Sequence, residues 1–300
     1  MANPTLPEGV PPEQPTRTAP AGSESGAAWT LTGMRAREQA VRATHYQRHG
    51  DTIALAEDLL DVLYRGLPLA NKFPTLESTL VVGGMLTNAT NAYLKAVDLA
   101  TAGYYELALA MTRVLAEHWL GANYIVSSPN KASIYISDFA RKSPSFKDMM
   151  TAVFKDPEKY EKFRGMRDGL NRFAHVTPIT WAGALSWTED GQLSFALGPH
   201  DNFHGFVYVL YPTLMLGADL YTVIAETGGT ADSQWLATAM TVSQRVVVVM
   251  NAYYVAYGGW GGRPIPGRAW LETEIHAPSS PSMNAGESWK EEDSPTQPCE

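Results

Sequence analysis

An all-α fold, a single helical bundle with one small β-hairpin insertion and disordered termini, is what this 300-residue sequence predicts. Three observations carry the expectation. The stretch from Gly103 to Ser127, GYYELALAMTRVLAEHWLGANYIVS, is apolar nearly all round at helical period, as a helix covered by neighbours on every side is. Helix start and stop signals punctuate the chain before and after it. Alternation at period two occurs only around Asp190–Gly191.

Taken in order, residues 1–29 are rich in Pro, Gly, Ser, Thr and Glu. Burial cannot offset the ordering entropy of such a segment, so a disordered tail is expected. From about Thr32 to Gly50 a polar helix of weak periodicity follows. Asp51 is then placed to cap a second helix, whose Ile53, Leu55, Ala56, Leu59, Leu60, Val62 and Leu63 make a broad apolar face. Gly66 and Pro68 end it. Pro74 can open the next helix at its first turn, and Gly103 breaks the chain before the central helix, which predicts an antiparallel pair. GYYELALA resembles the second helix of a tetratricopeptide unit. No repeat of about 34 residues recurs, which argues against a solenoid.

Ser128–Pro129 predicts a helix to about Arg141, and Ser145 a shorter one through Phe154. Asp156–Pro157–Glu158 combines three start signals for a helix that runs to about His175, where Pro178 stops it. Ala182–Trp187 and Gln192–Leu197 form the predicted hairpin, with Trp181, Trp187 and Phe195 as core cover or a docking surface. Phe206–Ile224 and Ala231–Tyr257 are strongly apolar. Pro212 and Asp219 interrupt the first, Gln244 and Arg245 the second. Both fall short of the roughly 20 apolar residues of a bilayer span, so core helices are expected and no membrane span. YGGWGGRPIPG is a turn-rich exit. The predicted organisation is a bundle over residues 30–272 and a disordered acidic tail over 273–300.

Charge narrows the function classes. Glu287, Glu291, Glu292, Asp293 and Glu300 against Lys290 give the last stretch a net −4, and the first thirty residues carry −2. That leaves −2 of the chain's −8 on the body, so no global basic field exists to hold nucleic acid. The single cysteine, Cys299, allows no disulfide framework. With no basic and apolar leader at the start, a cytoplasmic setting is expected.

On the central helix, Glu106, Arg113 and Glu117 stand at i, i+7 and i+11, in a strip about 40° wide. Charges on so apolar a helix are costly to bury unless paired. They form either a buried ionic latch or the wall of a pocket. The helix after Pro157 offers a facing surface. Phe163, Met166, Leu170 and Phe173 make its apolar side, and Arg164, Asp168, Asn171, Arg172 and His175 lie opposite, within about 60° of the histidine. Residues 141–175 hold nine Lys or Arg against five acids, a net +4, the one locally basic region. His175 then serves as a general acid or base or a phosphate contact, with Asn171 and Arg172 beside it. The alternative is a solvated histidine favoured by the helix C-terminus. His200 and His204 share i, i+4 spacing but show no third ligand, and no motif for a metal, nucleotide or other cofactor is present.

MTRVLAEHWLGANYIVSSP followed by LNRFAHVTP resembles a bacterial family of helical proteins of unknown function, with an Arg-x-x-x-Glu helix and a later Leu-x-x-Phe/Tyr-x-His helix end. Arg113 and Glu117 match the first motif; Leu170, Phe173 and His175 match the second, over about residues 75–225. In outline the family is similar to HEPN domains, helical bundles that include ribonucleases of toxin–antitoxin and phage-defence systems. Their hallmark is Arg, usually Asn, three variable residues and His. Asn171 fits that spacing, whereas the arginine position holds Leu170, and the nearest arginines stand three and eight residues before the histidine. The resemblance implies a bundle that engages RNA or a protein partner through Glu106, Arg113, Glu117, Asn171 and His175. A metal-independent ribonuclease using His175 is the alternative, and a structural or self-associating bundle with an internal latch is the third.

Overall fold

The first helix of the computed structural model starts at Thr30, whose hydroxyl accepts the Gly33 amide at 3.1 Å. The structure describes residues 30–137, 144–174, 185–187, 193–195, 198–199, 201 and 203–257. Helix α1 spans Leu31–Gly66 and bends at His49, whose φ of −131° and ψ of 22° leave the helical range. The break expected at Gly50–Asp51 is therefore a bend. Gly50 and Asp51 continue the helix, and Asp51 caps nothing. The two halves differ in kind. Between Leu31 and Arg48 the one buried apolar side chain is Val41, while the second half buries Ile53, Leu55, Ala56, Leu59, Val62 and Leu63.

Helix α2 (Leu76–Thr101) begins two residues later than a helix with Pro74 in first position would. Thr75, not Pro74, is the junction: its hydroxyl accepts the Ser78 amide at 3.1 Å and Ser78 reciprocates, closing a capping box. Gly103 takes φ +84°, open to glycine at no steric cost, and turns the chain into α3 (Tyr105–Ser127). The α2–α3 pair is the most extensive helix contact, and the expected hairpin of helices is present. The helix expected from Ser128 to Arg141 is instead a 3-10 turn, Pro129–Lys131, and a short α4, Ala132–Ser137, with the residues from 138 to 143 outside those described. Ser145 caps α5 (Phe146–Val153) in a second capping box, and Asp156 accepts the Glu158 amide at 2.9 Å where α6 (Pro157–Ala174) starts. Helix α7 is Phe203–Glu226. Asp232 accepts the Trp235 amide at 2.8 Å to open α8 (Ser233–Tyr257).

Leu185–Trp187 (β1) and Leu193–Phe195 (β2) pair antiparallel with Ser186 opposite Ser194. The ladder is three residues a side, and the small β-hairpin insertion expected over residues 182–197 is not supported; the rest of that range lies outside the described residues. The helices carry the fold.

Helix α3 packs on α2, α5, α6 and α7, which makes it the centre of the bundle. Several polar groups in this core find partners on other helices. Tyr93 donates to the Ala56 carbonyl at 3.0 Å, and the Trp235 indole donates to the Val62 carbonyl at 2.9 Å. The hydroxyls of Thr112 and Thr213 lie 2.7 Å apart between α3 and α7. Gly217 lets α7 approach α2 closely, since a Cβ there would sit 2.5 Å from the Tyr93 ring. Residues 205–226 of α7 are the one stretch, among those described, long and apolar enough to cross a membrane, and 61% of the window is buried against neighbouring helices. In this bundle it is a core helix.

Candidate functional site

The charged strip of α3 is a pair at the boundary of the core. Arg113 Nε donates to Glu117 Oε1 at 2.9 Å, with the two side chains 24% and 41% exposed, and Glu106 is half-buried. A sealed ionic latch is thus replaced by a partly solvated i, i+4 pair. The helix is not covered on every side either. Leu107 is 56% exposed, and Ala110, Met111, Val114 and His118 are half-buried. On a helical wheel Leu107, Ala110 and Val114 fall within about 60° of one another. Glu106, Arg113 and Glu117 border that arc on one side, Met111 and His118 on the other. The result is an apolar floor between a charged rim and an imidazole rim.

His118 belongs to this site although sequence reasoning does not select it, because it stands inside an apolar run. Its one signal is adjacency to Glu117. Burial lowers its pKa and the Glu117 carboxylate opposes the shift, so the ring is held neutral near pH 7 and can accept or donate a hydrogen bond.

Helix α6 meets α3 on another side. The Trp119 ring lies 5.2 Å from Phe163 and 5.9 Å from Phe154. Trp119 is about 120° round the helix from Arg113 and about 160° from Glu117, so α6 and the charged strip occupy different sides of α3. On α6, Arg164 pairs with Glu161 and Asp168 is 56% exposed; both face outward. Asn171 turns inward, its Oδ1 enclosed and without a hydrogen-bond partner among the described residues, as is Arg167 Nε, while the Arg167 guanidinium lies 3.8 Å over the Phe146 ring. The Arg172 side chain and His175 lie outside the described residues. Of the predicted cluster, Arg113 and Glu117 are hydrogen-bonded to each other on α3, Arg164 and Asp168 are exposed on α6, and Asn171 is enclosed there. Within the basic stretch, Lys162 and Arg164 pair with Glu158 and Glu161 on the same helix.

A second polar centre escapes sequence reasoning altogether. His45 is fully buried where α1, α2, α3 and the start of α7 meet. Its Nδ1 lies 2.9 Å from the Thr101 carbonyl, which only accepts, so Nδ1 carries a proton. Nε2 lies 3.0 Å from the Tyr105 hydroxyl and 3.4 Å from Asp201 Oδ1. Arg48 donates to the other Asp201 oxygen at 2.7 Å. His45 and His49 both stack on Phe206, at 4.5 and 4.8 Å. The hydrogen bond from His45 holds the Asp201 carboxyl below its ordinary range against the pull of its burial, and Arg48 adds to it. Two histidines at i, i+4 in a polar helix are visible in the sequence; the carbonyl, phenol and carboxylate that gather on them come from three other segments. Among the described residues no group of three or more His, Cys, Asp or Glu side chains is arranged to hold a metal ion. His200 and the His204 side chain are not among them.

Comparison of the chain with protein-family models, with curated proteins and with solved structures finds no match in any of the three.

Proposed function

We propose that this chain is a binding module, a helical bundle HEPN-like in outline, that takes a segment of a partner protein along the open side of α3. One observation carries the reading. The central helix keeps an apolar floor of Leu107, Ala110 and Val114 partly open, beside the Arg113–Glu117 pair. An apolar floor with a charged rim matches the anatomy of a protein-binding patch, where buried apolar area supplies affinity and rim charges select register. RNA is less well suited to it. A phosphate backbone asks for an excess of cations, and the α3 floor is bordered by Glu106, Glu117 and an Arg113 already paired to Glu117. The ribonuclease reading needs Asn171 beside His175 at an open surface, and the amide oxygen of Asn171 is enclosed. A cytoplasmic setting goes with the proposal.

Site-specific photocrosslinking tests it. A photoreactive phenylalanine replaces Leu107 in one chain and the exposed Arg65 in another, and adducts are compared in lysate of the source cells. A saturable protein adduct from position 107, lost on Arg113→Glu, is the expected result. Adducts no more specific than those from position 65 would overturn the reading. So would RNA adducts accompanied by RNA cleavage that His175→Ala abolishes, which points to the ribonuclease. An adduct only with a second copy of the chain would identify a self-associating bundle instead.

A further inference from the structure

Helix α1 changes character at His49, and the change divides what holds each half in place. Beyond the bend, six buried apolar side chains root the helix in the core. Before it, Val41 is the sole buried apolar anchor, and the attachments are polar. Arg42 donates to Asp98 at 2.8 Å and to the Thr101 hydroxyl at 2.9 Å. His45 binds the Thr101 carbonyl and Tyr105, and Arg48 binds Asp201. Tyr46 reaches across the bend to Glu57 at 2.8 Å. We infer that Leu31–Arg48 is an arm, hinged at His49, that mild acid releases from the bundle.

The geometry gives the direction of the switch. His49 is buried at the bend, its ring stacked on Phe206 and 6.4 Å from that of His45. Among the described residues, the charged and titratable groups around the two rings are Arg48 on α1, Tyr105 on α3 and Asp201 before α7, with Asp98 reached through Arg42 from α2. A proton on His49 therefore lands on a buried ring stacked on Phe206, beside Arg48 and His45. Burial first, then these two neighbours, push its pKa down to about 4. A histidine freed into water titrates near 6.5, so the released arm binds a proton that the docked arm refuses. The sign follows from linkage. Docking is fully supported above pH 6.5 and is lost as the pH falls toward 4, with the opening constant rising on the order of fifty-fold between pH 7 and 4.5. Asp201 acts in the same sense at lower pH, because its docked carboxyl is the stronger acid. Release uncovers Tyr105, Phe206 and the end of α2.

Hydrogen exchange on the full-length chain tests the arm. Peptides from residues 31–48 and 51–66 are followed between pH 7 and 4.5, with exchange times scaled for the intrinsic pH dependence. In the wild type the first set should lose protection on the order of fifty-fold while the second holds. His49→Phe keeps a ring on Phe206 and removes the titration, so its arm should stay protected throughout. Asp201→Asn should loosen residues 31–48 already at pH 7 without touching 51–66. Loss of protection in both halves together would overturn the inference. An unchanged pH response in His49→Phe, or an unaltered arm in Asp201→Asn, would overturn it as well.

Discussion

A phenol sealed in a helical core must find an acceptor, and at Tyr93 it finds one on another helix. The side chain is fully buried, and burial drives its pKa well above the ordinary value, so the hydroxyl is a donor at any pH at which the protein folds. It donates to the Ala56 carbonyl, one turn from Leu59 and Leu60 in the rooted half of α1. Tyr93→Phe keeps the ring and the packing against Gly217 and removes one net hydrogen bond. Stability should fall by about 1 kcal/mol in urea with the slope unchanged. A loss beyond about 3 kcal/mol would mean that the ring had moved. The sequence marks Tyr93 as core through its apolar neighbours. What its hydroxyl binds is not legible there, because the acceptor is a backbone group 37 residues away.

At the scale of elements, several local signals were legible, although Asp51 and Pro74 start no helix, and tertiary demands were not. Ser145, Asp156 and Gly103 act as their residue types predict, because a cap or a left-handed turn is decided within four residues. The bend at His49 and the short α4 escaped, since what sets them is the surface each segment meets. The strip on α3 shows the same division. Its spacing gives Arg113 and Glu117 as neighbours, and they are hydrogen-bonded. Its burial depends on which sides of α3 the other helices leave open, and periodicity cannot report that. The consequence is measurable. A sealed pair broken by Arg113→Met would cost about 3–5 kcal/mol. With the Glu117 side chain 41% exposed, the pair is a solvent-screened i, i+4 contact and the same substitution should cost at most about 0.5 kcal/mol. Thermal and urea unfolding of Arg113→Met separate the two values easily.

For the whole molecule, the sequence carried the class, an all-α bundle around residues 105–127, because a helix without a fully wettable face needs neighbours wherever they come from. The candidate site was legible in part. Glu106, Arg113 and Glu117 were found by their cost, and His118 was hidden by its apolar flanks. The His45 junction draws on α1, α2, α3 and the approach to α7, and no one stretch contains enough of it to be read. That junction also sets what the molecule can lose. Residues before His49 contribute the burial of Val41, about 2 kcal/mol, and a few polar contacts of about 1 kcal/mol each. A domain stable by roughly 5–15 kcal/mol survives their removal. Residues 53–63 contribute six buried apolar side chains, together about 10 kcal/mol or more, which it does not. A chain lacking residues 1–48 should therefore keep a cooperative thermal transition at a lower midpoint, with circular dichroism reduced by no more than the arm's own helix. A chain cut at Gly66 should show no transition. If removal of the first 48 residues already abolishes cooperativity, the arm is core, and the hinge at His49 is a bend within a single packed unit.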